Sequence, residues 1–272
     1  MHPIEWLRAV ARSGGASAHD LAGEAATALA ALGDEPHDMV PACRRLLDRH
    51  PTVGSLWWAC ARMVAAADPK AEAEAIVRDL DAEQTGLSLT IDLPESATVT
   101  VVGWTELADE LAVRRGDLRI LAVVDDAGGS GDVGGRRSRW SLWEDGAGVD
   151  DSDEVVVVPA GGLGAAVRAS NVVLVEASAA GAERVVAAPG SLAAAATARQ
   201  LGGATGVEVW LSVGVGRRLP DNLLGALEAR VFGPHDGREP WKAGADRVDV
   251  SLVDRVVEPL SIPCPAPPEL LR

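Results

Sequence analysis

At 272 residues the chain can bury one large core or two modest ones, and its 47% hydrophobic composition is that of a globular protein. A net charge of −15 argues against direct DNA or RNA binding, because nucleic-acid affinity rests on phosphate neutralisation by basic surfaces. The one dense basic stretch, Arg136, Arg137 and Arg139 beside Trp140 and Trp143, reads as a solvated face rather than a docking patch.

Three cysteines (Cys43, Cys60 and Cys264) lie far apart without CxxC spacing, and the five histidines form no HxH or HxxxH pair. Metal ligation therefore has no support, no cofactor is implied, and free thiols in a reducing compartment are expected. The start, MHPIEWLRAV, lacks the basic region and long apolar run of a secretory signal. No stretch reaches the roughly 18 apolar residues that span a bilayer. The expectation is a cytoplasmic protein with no membrane partner.

In chain order, the first 85 residues read as a helical domain. Ser17 followed by Asp20 resembles a capping box before the helix-forming stretch Leu21 to Leu32, and Gly33 is a plausible stop. Pro36 opens a second helix, Thr52 is expected to cap a third, and Asp68-Pro69 supplies an N-cap with proline at the first helical position of a fourth. From residue 86 to 272 short β-branched runs alternate with Ala- and Leu-rich stretches. Strands are predicted at Thr98 to Val102, Leu118 to Val124, Glu154 to Val158, Asn171 to Val175 and Val207 to Val213. Helices are predicted at Glu106 to Arg114, Gly164 to Ala169, Leu192 to Leu201 and Asn222 to Val231. Near-continuous apolar strands separated by helices predict an α/β domain with a Rossmann-like, doubly wound, mostly parallel sheet. Residues 125–153, rich in Gly, Ser and Asp, read as a flexible insertion, and the acidic cluster at its end (Asp150, Asp151, Asp153 and Glu154) reads as a solvated turn without calcium-loop spacing.

Ligands in such sheets bind beyond the carboxyl ends of the strands. Those ends carry Gly103-Trp104-Thr105, Gly161-Gly162, Glu176-Ala177-Ser178 and Gly216-Arg217, and Gly190-Ser191 opens a helix. The Gly161-Gly162 and Gly190-Ser191 turns have the character of phosphate sites, since free N–H groups at a helix start favour an anion. No GxSxG or serine–histidine constellation emerges. Glu176 is the one carboxylate directly after an apolar strand, so it is a candidate general base or, equally, a cap.

Four segments carry a family resemblance: Arg49-His50-Pro51-Thr52-Val53-Gly54-Ser55-Leu56-Trp57, Asn171 to Ser178, Ala187-Ala188-Pro189-Gly190-Ser191, and Val250 to Val257. With them the chain resembles the translation initiation factor 2B alpha/beta/delta-like family, which includes methylthioribose-1-phosphate and ribose-1,5-bisphosphate isomerases. The resemblance implies a helical N-terminal domain before a sugar-phosphate isomerase-type domain. It also implies a cysteine, an aspartate and a lysine at the isomerase positions, where this sequence has Trp104 or its neighbours, Ser178 and Ala188. The family's phosphate-contacting arginine before proline is displaced here: His50 precedes Pro51 and Arg49 stands one residue earlier.

Indole cannot shuttle protons as a thiol does, and serine is too weak an acid to replace a carboxylate. The resemblance thus implies a non-catalytic binding, regulatory or assembly module for a phosphorylated sugar or nucleotide. Its ligand residues would come from Arg49, Thr52, Gly103, Trp104, Thr105, Gly161, Gly162, Glu176, Ser178, Gly190, Ser191 and Arg217. Two alternatives stay open. One is an isomerase-like enzyme with altered residues, using Glu176 as base and Arg217 or Arg49 as anion clamp. The other is a structural homodimer held through apolar Leu252, Val253, Val256 and Val257.

Overall fold

A computed structural model describes residues 17–33, 36–90, 92–103, 105–124, 155–233, 242–258 and 262–271, besides the single positions Glu5, Ala9 and Glu239. Trp104, the expected insertion 125–153 and its Arg136 to Trp143 segment lie outside the described residues.

Four helices come first: α1 (Ala18–Ala30), α2 (Pro36–Arg49), α3 (Gly54–Ala65) and α4 (Pro69–Thr90). Their starts follow local chemistry. The Ser17 hydroxyl accepts the Asp20 N–H at 2.9 Å, and one Asp68 carboxylate oxygen accepts from Lys70 and Ala71 N–H at 3.1 Å each. Gly33, at φ 75°, provides the left-handed residue beyond α1. The third start differs from expectation: Val53, not Thr52, is the N-cap of α3, and no side chain caps it.

Residues Leu56 to Ala61 of α3 are buried on every side, Trp57 and Trp58 included, so α3 is the central helix and the others surround it. Each tryptophan also lies under an arginine, Arg230 over Trp57 at 4.8 Å and Arg62 over Trp58 at 4.7 Å. This helical unit does not close a core of its own. Its buried residues form one cluster with Ala179, Val186 and Val215 of the sheet region and with Leu223, Leu224, Leu227 and Val231 of α8 (Asp221–Phe232). The expected boundary at residue 85 falls inside α4, which runs on to Thr90.

The second part contains β1 (Thr98–Val102), α5 (Glu106–Arg114), β2 (Arg119–Val124), β3 (Val155–Pro159), α6 (Leu163–Ala169), β4 (Val172–Ala180), β5 (Arg184–Ala187), α7 (Ser191–Thr205), β6 (Glu208–Ser212), α8, β7 (Asp246–Asp249) and β8 (Arg255–Val257). Six strands form a parallel run in the order β3-β2-β1-β4-β6-β8. α5 packs with Val99, Val101, Leu174 and Trp210 on one face, while Ala194, Ala195 and Ala198 of α7 pack with Val173, Val175 and Leu211 on the other. The α/β fold with a mostly parallel sheet is therefore present.

β4 overruns its parallel neighbours. Its last part, Ala177 to Ala180, turns to pair antiparallel with β5, and β5 pairs antiparallel with β7. The register shifts between Ala177 and Ala179, so Ser178 occupies a β-bulge. This bend carries the sheet beneath the helical unit. A Cβ added to Gly54, the first residue of α3, would stand 2.2 Å from the Ser178 carbonyl oxygen, so only glycine permits that approach.

Candidate crevice at the strand ends

The chain order builds β1, β2 and β3 outward in one direction, then returns to place β4 on the other side of β1. In open parallel sheets ligands usually bind beyond the carboxyl ends of the strands at such a switch in direction, which here falls between β1 and β4. Gly103 follows β1 here at φ 74°, and its Cα side lies against Ala188, whose Cβ would be 3.9 Å from an added Cβ. Gly190, at φ 96°, meets Val102 in the same way at 3.1 Å. The Thr105 hydroxyl is engaged within the fold, where it caps α5 by accepting the Ala108 N–H at 3.2 Å.

Glu176 and Arg217 meet as an ion pair, the Arg217 guanidinium donating to Glu176 Oε1. The same nitrogen donates to the Ala177 carbonyl at 3.0 Å, which ties Arg217 to β4. Side-chain exposures of 11% for Arg217 and 12% for Glu176 make this a nearly buried pair, so its attraction is only weakly screened. Glu176 sits within β4, not after it as the sequence suggests, because the strand continues to Ala180. Its second oxygen, Oε2, is buried with no hydrogen-bond partner among the described residues. The same holds for the Ser212 hydroxyl and the Trp58 indole N–H.

Ser212 is the register partner of Glu176 across the β4–β6 ladder. Residues 172, 174 and 210 face the α5 side while 173, 175, 209 and 211 face the α7 side. By that alternation Glu176 and Ser212 project from the same face, that of α5. Gly216, in the turn that delivers Arg217, takes φ 72°, and an added Cβ would fall 2.7 Å from the Trp58 ring. Trp58 of α3 thus packs directly against the turn that delivers Arg217.

The anion geometry expected at Gly190-Ser191 exists but is filled from within. Asp246, the first residue of β7, places Oδ2 2.8 Å from the Gly190 N–H and 3.0 Å from the Leu192 N–H. The Ser191 N–H donates to the Ala188 carbonyl at 3.1 Å, and the Ser191 residue is buried. The Gly190 and Leu192 donors are thus satisfied by a side chain 56 and 54 residues away in sequence, and the Ser191 donor by the local turn.

The other predicted residues lie apart. Gly161 and Gly162 form a 3-10 turn after β3, the edge strand, with β2 and β1 between them and β4. The following α6 has only seven residues. Arg49 stands exposed in the last turn of α2, and Thr52 is half-buried in the turn before Gly54. Cys43 and Cys60 lie inside the helical core and Cys264 packs against it, so none of the three thiols reaches the crevice. Burial pushes the Cys264 thiol up to about 12. Among the described residues there is no cluster of His, Cys, Asp or Glu able to hold a metal, and no helix long and apolar enough to cross a membrane.

Asp246 and Ser212 were not legible as site residues. Asp246 carries no motif, and Ser212 is the single polar residue of the apolar run Val209–Val213 apart from the indole of Trp210.

No protein-family model matches the chain, and no curated protein matches it in sequence. Solved structures do. Translation initiation factor eIF-2B from Pyrococcus horikoshii superposes with a TM-score of 0.65 at 15% identity, over 94% of each chain. A chain of the tetrameric eIF2B-beta2-delta2 complex from C. thermophilum gives 0.63 at 15% identity, covering 94% of this chain and 88% of that one. The 5-methylthioribose 1-phosphate isomerase from P. horikoshii gives 0.55 at 14% identity, covering 94% and 82%. The chain has the fold shared by the initiation factor 2B subunits and this isomerase over 94% of its length.

Proposed function

We propose that this chain is a non-catalytic, cytoplasmic regulatory or assembly module on the initiation factor 2B-like fold, with a crevice that binds a phosphorylated sugar or nucleotide. The observation that carries the reading is the nearly buried pair between Glu176 of β4 and Arg217 in the turn after β6, with one carboxylate oxygen unpartnered among the described residues. An arginine fork accommodates phosphate oxygens as readily as a carboxylate.

The same geometry supports the non-catalytic reading. Glu176 Oε1 is engaged by Arg217, and the three thiols lie in or against the helical core, away from that pair. The anion position at α7 is held by Asp246, so the proposal places the phosphate at Arg217. Self-association is part of the proposal. The edge strand β8 leaves Val256 42% exposed, and a structurally similar subunit is found in a tetrameric complex.

The test is a thermal-shift panel of phosphosugars and nucleoside monophosphates, followed by a product assay on any ligand found. Ligand-dependent stabilisation without turnover supports the proposal. A flat panel removes the ligand-binding part, and turnover abolished by Glu176→Gln would instead favour an altered isomerase-like enzyme.

A further inference from the structure

The helical unit holds two thiols against each other. α2 turns one apolar stripe, Met39, Cys43, Leu46 and Leu47, into the core, the spacing of a packed helix face. Cys43 thereby meets α3 at Cys60. Its thiol donates to the Cys60 carbonyl at 4.0 Å, and the two thiols are hydrogen-bonded to each other. Both residues are fully buried, so packing fixes their relative position. Cys264 packs on the same cluster but donates its thiol to its own neighbour, the Pro265 carbonyl, at 3.4 Å.

We infer that Cys43 and Cys60 are a disulfide-forming pair, free while the surroundings are reducing and linked when they become oxidising, which then locks α2 onto α3. The loop that the link closes contains Gly54, whose close approach to the Ser178 carbonyl joins the helical unit to the sheet. The lock therefore acts on the joint between the two parts of the fold.

The oxidant is a small disulfide such as oxidised glutathione. One cysteine thiolate attacks it, forming a mixed disulfide and releasing one glutathione thiolate. The second cysteine thiolate attacks the protein sulfur of that mixed disulfide and releases the other. The protein gives up two protons and two electrons, and one oxidised glutathione becomes two reduced ones. Neither thiol is open to reagents in the closed core, so exchange takes place while α2 is lifted from α3. Pro41, inside α2 and two residues before Cys43, supplies no N–H to the helix ladder and makes α2 the easier of the two helices to lift.

The test is refolding of the full chain from guanidinium in mixtures of reduced and oxidised glutathione. Acid quenching, alkylation, intact mass and peptide mapping follow, and the product is melted. Wild type should lose the mass of two hydrogens, yield one peptide pair joining Cys43 to Cys60, and keep Cys264 open to alkylation. It should melt roughly 5–10 °C above the reduced protein, a gain that dithiothreitol reverses. Cys264→Ser should form the same link with the same gain. Thiols that only fill the core would refold free or carry glutathione adducts, which overturns the inference. So does a link through Cys264, or a Cys43–Cys60 link that leaves the melting temperature unchanged or lower.

Discussion

Removing the Asp246 carboxylate isolates what an internal anion contributes to this fold. Its Oδ2 accepts two backbone hydrogen bonds, from Gly190 at 2.8 Å and Leu192 at 3.0 Å, at the start of the fifteen-residue helix α7. Losing a capping side chain costs about 1 kcal/mol, and losing a negative charge at a helix N-terminus adds up to about 1 kcal/mol. Leu192 is exposed and Gly190 half-buried, so water replaces part of what is lost and no further desolvation cost is added. Asp246→Ala is therefore expected to destabilise by about 2 kcal/mol, a fall in Tm of roughly 4–8 °C for a chain of this size. Asp246→Asn keeps a carbonyl oxygen and loses only the charge, so it should cost about half as much. Urea denaturation followed by far-ultraviolet circular dichroism measures both. In Asp246→Ala the vacated N–H groups are open to anions, so millimolar phosphate should raise its Tm more than that of wild type. Equal costs for the two variants, or a loss below about 0.5 kcal/mol for Asp246→Ala, would refute the assignment of Asp246 as the anion at α7.

Other perturbations test the packing and the charges. Gly216→Ala puts a Cβ 2.7 Å from the Trp58 ring at φ 72°, and equilibrium unfolding should show a loss of about 3 kcal/mol. Glu228, only 5% exposed, holds Arg184 and Arg247 at 2.8 Å each; Glu228→Gln should cost about 1–3 kcal/mol by the same measurement, less than for a fully buried cluster because both arginines are nearly half exposed. The hydrogen bond from Arg115 and that from the Ser96 N–H hold the Asp117 carboxyl well below the usual carboxylate range. A depressed folded value means its contribution is complete above the unfolded value near pH 4 and is lost as pH falls through the folded one. Asp117→Asn should therefore narrow its gap from wild type as melting is followed from pH 6 downward. Native protein should react with almost none of its three thiols at pH 8 in a colorimetric thiol assay, and with all of them in guanidinium, because Cys43 and Cys60 are buried and Cys264 is pushed up to about 12.

The architecture was legible where local signals and burial agree. β1 and α5 occupy the predicted residues because a five-residue β-branched run and a Thr105-capped amphipathic stretch are local features. β5, β7 and β8 were not legible. They have four, four and three residues, β5 is set by the short hairpin from β4, and β7, reading Asp-Arg-Val-Asp, and β8 depend on pairing with distant strands rather than on their own pattern. The same overrun of β4 moved Glu176 and Ser178 from a loop into a strand, since the small and polar residues after Val175 conceal the continuation.

For the crevice, the sequence named Glu176, Arg217, Gly103 and Gly190, and the fold brings each to the carboxyl ends of the central strands or to the turns beside them. It could not show that the carboxylate and the guanidinium, 41 residues apart, engage each other, or that Asp246 fills the helix start. Both are long-range pairings between charged residues with no motif around them. Gly161 and Gly162 mark the limit of reading glycines alone: they satisfy a tight turn on the edge strand, far from the switch in strand order.

The most direct test of the crevice is calorimetric titration with ribose 5-phosphate of wild type and of the double variant Glu176→Gln/Arg217→Gln, with the recovered ligand analysed by NMR. The double variant removes both charges and so leaves no unpaired one buried. Wild type should bind saturably, the double variant not at all, and the ligand should be recovered unchanged. Binding that survives in the double variant, or a ligand returned as an isomer, would contradict a non-catalytic phosphate crevice built on Glu176 and Arg217.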